Sequence, residues 1–112
     1  MVTRPLLEVI RGAVHSGELL FSLHAIEEMG DEGISFQEIS EAVHSSETEV
    51  IESRLEDPRG ESHLLFGRTG QGKPLHMVFG RVHQRIKLVT TSRPDLHPER
   101  WTADFRARRR DR

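Results

Sequence analysis

The chain has 112 residues, which is the size of one domain with a single hydrophobic core. It contains no cysteine, and this excludes disulfide frameworks, thiolate zinc sites and cysteine nucleophiles. Arg4, Glu8, Arg11 and Glu18 interrupt the apolar residues of the first 20 positions, so the sequence shows no signal-peptide core and no membrane span. We therefore expect a single domain over residues 1–112 in the cytoplasm.

Charge is distributed unevenly along the chain, although the formal total is only -2. Residues 1–60 hold 13 acidic and 4 basic side chains, whereas residues 61–112 hold 5 acidic and 12 basic ones. This asymmetry predicts a basic side that meets an anionic partner such as RNA. The final basic residues are Arg106, Arg108, Arg109, Arg110 and Arg112, and we expect residues 107–112 to form a flexible, solvated basic tail.

Three helices are predicted in the first part of the chain. Apolar residues recur at helical spacing from Leu6 to Val14, and Gly17 ends the first helix. Ser22 can cap the second helix, and Gly30 can end it. Its predicted apolar face consists of Leu23, Ile26 and Met29.

The third helix has the clearest local signal. Ser35 and Glu38 form a capping box, and Ile34 and Ile39 occupy the positions of a hydrophobic staple. The residues expected to face the core are Phe36, Ile39 and Val43.

Beyond His44 the apolar pattern changes to that of extended strands. Four strands are predicted, at residues 47–55, 63–68, 75–82 and 85–91. The breaks between them are short enough for hairpins, so the sheet should be antiparallel. Trp101 and Phe105, four residues apart after Pro98, indicate a short C-terminal helix. We therefore predict an α+β fold with the N-terminal helices on one face of a four-stranded antiparallel sheet and the other face open.

Several short motifs together resemble a bacterial family known only as a domain of unknown function. They are Ser22-Leu23-His24-Ala25, then Gly72-Lys73-Pro74-Leu75-His76-Met77-Val78, then Pro94-Asp95 and Trp101, and the resemblance runs from about Phe21 to Arg110. Members of that family look like distant relatives of the RelE and BrnT toxins, which are small ribonucleases. The resemblance implies a helix-then-sheet fold, ribonuclease activity, and a zinc-finger, helix-turn-helix antitoxin as partner.

This sequence departs from the pattern at two positions of the second helix. Glu28 and Glu32 stand where many members carry arginine. If those arginines bind phosphate in other members, two such contacts are missing here, and the acids would repel RNA at this place.

His24 is the first candidate catalytic residue. A metal-independent ribonuclease needs a base for the 2'-hydroxyl, an acid for the leaving oxygen, and cations around the phosphate. At the start of its helix, His24 would keep a neutral imidazole that can act as base, and the same helix end attracts phosphate. The structural alternative is that His24 orders the helix start together with Ser22.

His76 is the second candidate, because strand alternation places it on the other face of the sheet from Leu75, Met77 and Phe79. On the open face it would be the second acid or base. The candidate phosphate ligands are Lys87, Arg81 and Arg93, with Lys87 favoured. The alternatives are a cross-strand packing role for the histidine and a solvated surface for the cations.

Metal and cofactor sites are not predicted. The spacing of His63, His76 and His83 matches no ligand motif, and the glycine-rich Gly70-Gln71-Gly72-Lys73 segment joins two strands as a turn. Two functions therefore remain: a toxin-like endoribonuclease that acts through His24 and His76, and a non-catalytic protein-binding module of the same fold. The first requires the two histidines to be close on a basic surface, whereas the second requires an exposed apolar surface.

Overall fold

The computed structural model describes residues 3–110. The helices are α1 (Thr3–Ser16), α2 (Leu23–Glu32) and α3 (Phe36–Val43). The strands are β1 (Leu20–Phe21), β2 (Glu49–Arg54), β3 (Ser62–Arg68), β4 (Pro74–Val82) and β5 (Arg85–Ser92), and a 3-10 helix follows at Pro94–Leu96. The predicted α+β class is confirmed.

The sheet has five strands in the order β1-β5-β4-β3-β2, so the prediction of a four-stranded antiparallel sheet is wrong. The strands β2 to β5 are antiparallel neighbours, as expected from the short breaks. The additional strand β1 runs parallel to β5, with Leu20 opposite Lys87 and Phe21 opposite Leu88. The sequence predicts a short extended piece at residues 19–21, which contains β1, but two residues are too few to show the alternation by which a member of a sheet is recognised.

One face of the sheet carries the core together with the helices. The buried cluster contains Ile10 and Val14 of α1, Ala25 of α2, Ile39, Ala42 and Val43 of α3, and Leu65, Leu75, Met77, Phe79, Ile86 and Leu88 of the sheet. At Gly67 of β3, a Cβ atom would lie 2.3 Å from the backbone oxygen of Ala42. The absence of a side chain there allows α3 to pack directly on the sheet.

The start of α3 confirms the predicted capping box. Ser35 Oγ accepts a hydrogen bond from Glu38 N, and Glu38 Oε1 accepts one from Ser35 N. The two staple residues, Ile34 and Ile39, are buried. Phe36 is 41% exposed, so its predicted position in the core is wrong. It packs edge-on against Phe21 at the border of the helical layer, with ring centroids 6.1 Å apart.

Helix α2 differs from its prediction in its end and in its buried face. It continues past Gly30 and ends before Gly33, which adopts a φ of 67° as the C-cap. Leu23 and Ile26 are 71% and 54% exposed, and only Ala25 is fully buried. Leu23 and Ile26 are left on the solvent side of α2 because the helix lies along the edge of β5, where the Ser22 hydroxyl donates to the Val89 carbonyl at 2.7 Å.

The C-terminal segment contains no α-helix between Pro98 and Arg110, so the predicted short C-terminal helix is wrong. Asp104 accepts hydrogen bonds from Thr102 Oγ1 and Arg106 N, and Phe105 has a φ of 64°, so the backbone turns instead of continuing as a helix. The chain then returns, and Arg108 forms a β-bridge with Trp101. Within the proposed tail, Ala107 and Arg109 are hydrogen-bonded to residues 100–102, while Asp111 and Arg112 lie outside the described residues.

Candidate functional site

The sheet face opposite the helices carries a cleft of about 550 Å³. Leu64, Val78 and Val89 contribute apolar side chains from three adjacent strands, which places them on the floor of the cleft. Charged residues of α2, of β2 and the turn after it, and of the C-terminal segment complete the lining. The volume is within the usual range of ligand sites, about 300–1,000 Å³.

His76 lines this cleft, which confirms its predicted place on the face opposite Leu75, Met77 and Phe79. The residue is nevertheless only 2% exposed, because the C-terminal segment covers it. Its Nε2 atom donates to the Phe105 carbonyl at 2.7 Å, and the ring packs edge-on against Trp101 with centroids 4.2 Å apart.

Burial lowers the pKa of His76 from its ordinary value of 6.5, although the Phe105 carbonyl opposes this change by stabilising the charged form. The side chain is therefore a neutral imidazole with its proton on Nε2. Its Nδ1 atom is buried and has no hydrogen-bond partner among the described residues.

His24 lies in the first turn of α2 and is outside the lining of the cleft. Its side chain is 66% exposed, and its Nε2 atom is 3.1 Å from the Glu28 carboxylate one turn later. Ser22 caps the helix by accepting a hydrogen bond from Ala25 N. The structure therefore does not bring His24 and His76 together in one cleft.

Glu28 and Glu32 have a structural role at the exposed edge of the sheet. Glu28 Oε1 accepts hydrogen bonds from the hydroxyl of Thr90 and from the backbone N–H of Thr91, the latter at 3.0 Å. Glu32 Oε1 accepts one from Arg93 N at 2.6 Å. Because β1 pairs with only two residues of β5, these carboxylates supply the acceptors that a longer neighbouring strand would provide.

Arg93, a predicted phosphate ligand, connects the end of α2 to the start of α3. Its Nε donates to the Glu32 carbonyl at 2.9 Å, and its Nη2 donates to the Gly33 carbonyl at 2.7 Å and to Glu38 Oε1 at 2.8 Å. The pKa of Glu38 is lowered: burial raises it, but hydrogen bonds from Arg93 and Ser35 and the nearby positive charges outweigh that effect. Most of the guanidinium is thus occupied within the fold.

The other two predicted phosphate ligands lie apart from His76. Arg81 pairs with Glu61 at 3.4 Å near the end of β4. Lys87 is opposite Gly80, four residues along β4 from His76, or roughly 13 Å at the usual rise of a strand. Neither residue lines the cleft.

Four arginines that sequence reasoning did not select do line the cleft. They are Arg54, Arg59, Arg100 and Arg108. No local pattern distinguishes them, because they come from the end of β2, the turn after it and the C-terminal segment. Residues 107–109 fold back and form hydrogen bonds with residues 100–102, which brings Arg108 to the sheet. The sequence gives no sign of this contact.

The charges of the cleft balance each other. Its carboxylates are Glu28, Glu32, Glu52 and Asp57, equal in number to its arginines. Arg108 pairs with Glu52 at 2.7 Å, and the hydrogen bond from Arg59 lowers the pKa of Asp57. Among the described residues, the Arg54 side chain makes no ion pair within 4.0 Å, although its charge helps to lower the pKa of Asp57. The Arg100 side chain pairs there only with its exposed neighbour Glu99, at 3.7 Å.

Neither a metal centre nor a membrane span is found in the described part of the chain. Among residues 3–110, no three histidine, aspartate or glutamate side chains are grouped so that they could hold a metal ion. Within the same residues, each helix is too short or too polar to cross a bilayer.

The fold and the cleft define a small α+β domain in which helices cover one sheet face and the other face presents a lined depression. Residues 21–93, more than half of the chain, match the family described as "Domain of unknown function (DUF4258)". The chain belongs to this family. No curated protein and no solved structure matches this chain. The matched region ends at Arg93, so the segment that covers His76 lies beyond it.

Proposed function

We propose that this protein is a protein-binding module and that the cleft receives a segment of its partner. The observation that carries the proposal is the combination of an apolar floor with balanced charges. Surfaces that bind nucleic acid are much more positively charged, because they neutralise a row of phosphates. Protein interfaces instead combine an apolar centre with a polar rim.

The lining also indicates the chemistry of the bound segment. An apolar side chain of the partner would pack on Leu64, Val78 and Val89. An acidic group beside it would meet Arg54 and Arg100, because Arg59 and Arg108 are already paired with carboxylates of the cleft. The resemblance to toxin families makes a zinc-finger, helix-turn-helix antitoxin the expected partner.

Co-expression with the protein encoded beside its gene, followed by affinity measurement, tests this proposal. Val78→Glu places a charge on the apolar floor and should weaken binding at least about 100-fold, since an unpaired buried charge costs several kcal/mol. Val82→Glu makes the same change further along β4, outside the cleft, and should leave the affinity unchanged. Equal affinities for both variants, each shown by circular dichroism to be folded, would refute the cleft as the binding site.

A metal-independent endoribonuclease remains the second candidate, because a neutral histidine and four arginines line one cleft. In this mechanism Nδ1 of His76 accepts the proton of the 2'-hydroxyl, and Arg54 and Arg100 bind the phosphate. The 2'-oxygen bonds to phosphorus as the bond from phosphorus to the 5'-oxygen breaks, and the leaving 5'-oxygen takes a proton from water. The Phe105 carbonyl must release Nε2 if that atom is to meet RNA.

Mapping of RNA 5' ends after induced expression separates the two candidates. New 5'-hydroxyl ends that disappear in His76→Ala and in Arg54→Ala would establish the ribonuclease and overturn the binding module. If His24→Ala also removes them, the two histidines act together as the sequence predicts. Intact RNA in cells that contain folded protein would leave the binding module as the function.

A further inference from the structure

Three side chains on the helix-facing side of the sheet form a continuous hydrogen-bonded series. Ser53 Oγ lies 2.8 Å from His63 Nδ1, and His63 Nε2 lies 3.0 Å from Glu61 Oε2. Ser53 of β2 and His63 of β3 are direct cross-strand partners. Hairpin register, and not side-chain flexibility, therefore sets the distance between serine and histidine.

The proton positions in this series follow from the carboxylate. The hydrogen bond from His63 is the main reason why the pKa of Glu61 is lowered, so Glu61 is an anion that can only accept. His63 then carries its proton on Nε2, and Nδ1 is left to accept the proton of the Ser53 hydroxyl. Arg81 Nε, 3.4 Å from the same Glu61 oxygen, also holds the carboxylate in place.

The three residues differ in exposure, and the proposed nucleophile is the most exposed of them. Ser53 is exposed, whereas the His63 side chain is only 8% exposed and the Glu61 side chain 37%. The hydroxyl thus meets solvent while the base behind it is held in place. None of the three lines the open-face cleft, so the series is separate from the proposed partner site.

We propose that Ser53, His63 and Glu61 form a second, hydrolytic site for small acyl esters. A nucleophile within hydrogen-bond reach of a base, with that base oriented by a third group, is the arrangement that activates serine hydroxyls. Small esters are the fitting substrates, because Ser53 stands at the surface and is reached without entry into a deep pocket.

The reaction balances with water as the only co-substrate. Ser53 Oγ forms a bond to the ester carbonyl carbon as its proton moves to His63 Nδ1, and the carbonyl oxygen becomes an oxyanion. The carbon–alkoxy bond then breaks, and His63 returns the proton to the leaving alcohol. Water attacks the acyl-Ser53 bond in the same way, which releases a carboxylic acid and restores the serine. Ser53 and His63 are the catalytic residues, and Glu61 is a positioning residue.

A fluorophosphonate probe, with intact-mass and peptide analysis, tests the nucleophile directly. The wild-type chain should gain one label on Ser53, and Ser53→Ala should lose it. Ser46→Ala, at an exposed turn serine for which no histidine partner is found among the described residues, should retain labelling at the wild-type rate. Labelling of Ser53→Ala at the wild-type rate, or the lack of any label on the folded wild-type protein, would overturn the proposal.

Turnover of p-nitrophenyl acetate tests the roles of the other two residues. Ser53→Ala removes the nucleophile and should reduce kcat about 100-fold or more, to background. Glu61→Gln should lower kcat about tenfold or more with KM unchanged, since it disturbs the imidazole and not substrate binding. If Glu61→Gln matches wild type in kcat, Glu61 does not position the base and the triad is refuted.

Discussion

Replacement of Arg93 by alanine should strongly destabilise the fold, because this side chain connects two helices. It would remove three hydrogen bonds: to the Glu32 carbonyl, to the Gly33 carbonyl and to the Glu38 carboxylate. Both charged partners are largely shielded, with side chains 14% and 23% exposed. Hydrogen bonds to charged groups contribute about 1.5–3 kcal/mol each, but water can enter and recover part of this. We therefore expect a loss of about 3–4 kcal/mol in the free energy of unfolding.

Urea unfolding followed by the fluorescence of Trp101 measures this loss, since the only tryptophan is buried beside His76. In thermal unfolding the same change should lower Tm by roughly 10–20 °C. Arg93→Lys keeps the charge beside Glu38 but not the planar group, so we expect it to recover about half of the loss.

Arg85→Ala is the matched control, because Arg85 is exposed at the start of β5, the strand that Arg93 follows, and makes one long hydrogen bond, to the Glu18 carbonyl at 3.4 Å. It should change the free energy of unfolding by less than about 0.5 kcal/mol. An Arg93→Ala variant as stable as Arg85→Ala would refute the structural role. If that variant also lost RNA binding, Arg93 would be the phosphate ligand that the sequence predicts.

Three further predictions concern the sheet edge, the helix–sheet contact and acid stability. Glu28→Ala should lower the free energy of unfolding by about 1–3 kcal/mol, because the backbone N–H of Thr91 loses its acceptor. Faster hydrogen exchange at Thr91 checks this, and Glu27→Ala, at an exposed position, is the control. Gly67→Ala should lower the free energy of unfolding, measured in urea, by about 1–3 kcal/mol, since its Cβ would meet Ala42. Gly30→Ala, with nothing within 4 Å of its Cβ, should raise it by about 0.5–1 kcal/mol. A change of the same sign in both variants would contradict the packing of α3 on Gly67. Because the folded pKa of His76 lies below 6.5, the unfolded chain binds the proton first as pH falls, so stability is lost below pH 6.5 by at most about 1.4 kcal/mol per pH unit. His76→Gln should flatten this slope between pH 7.5 and 5.5, and an unchanged slope would assign the effect to other groups.

Signals that lie within a few neighbouring residues were sufficient to predict parts of the fold. The capping box at Ser35 and Glu38 is satisfied by atoms three residues apart, so the sequence contains all that is needed to recognise it. The alternation that places His76 and Met77 on opposite faces of the sheet is also local. The sequence could not show that Leu23 and Ile26 would be exposed, because helical spacing shows only that they share a face. Contact with the edge of β5, 63 to 67 residues away in the chain, decides which face is buried.

The candidate site was harder to predict than the fold, because distant segments form it. Arg93 and His76 were both selected as chemically useful side chains, yet each is enclosed by atoms from other segments. The contact of His76 with Phe105 depends on the turn at Asp104, where the apolar spacing of Trp101 and Phe105 predicted a helix. The Asp104 side chain instead accepts hydrogen bonds from Thr102 Oγ1 and Arg106 N, and this local turn forms in place of the helix.

The uneven charge along the chain has a different meaning in the folded molecule. Arginines of the basic half reach back to carboxylates of the acidic half: Arg68 to Glu47, Arg93 to Glu38, Arg106 to Glu49 and Arg108 to Glu52. Arg106 also lies 4.4 Å over the Phe66 ring, and Arg108 lies 4.7 Å over the Trp101 ring. Charges that are separated in the sequence therefore neutralise one another in the folded molecule. A prediction of RNA binding from linear charge counts those arginines as available, whereas the fold uses all four in ion pairs, and two of them, Arg106 and Arg108, fasten the C-terminal segment over His76.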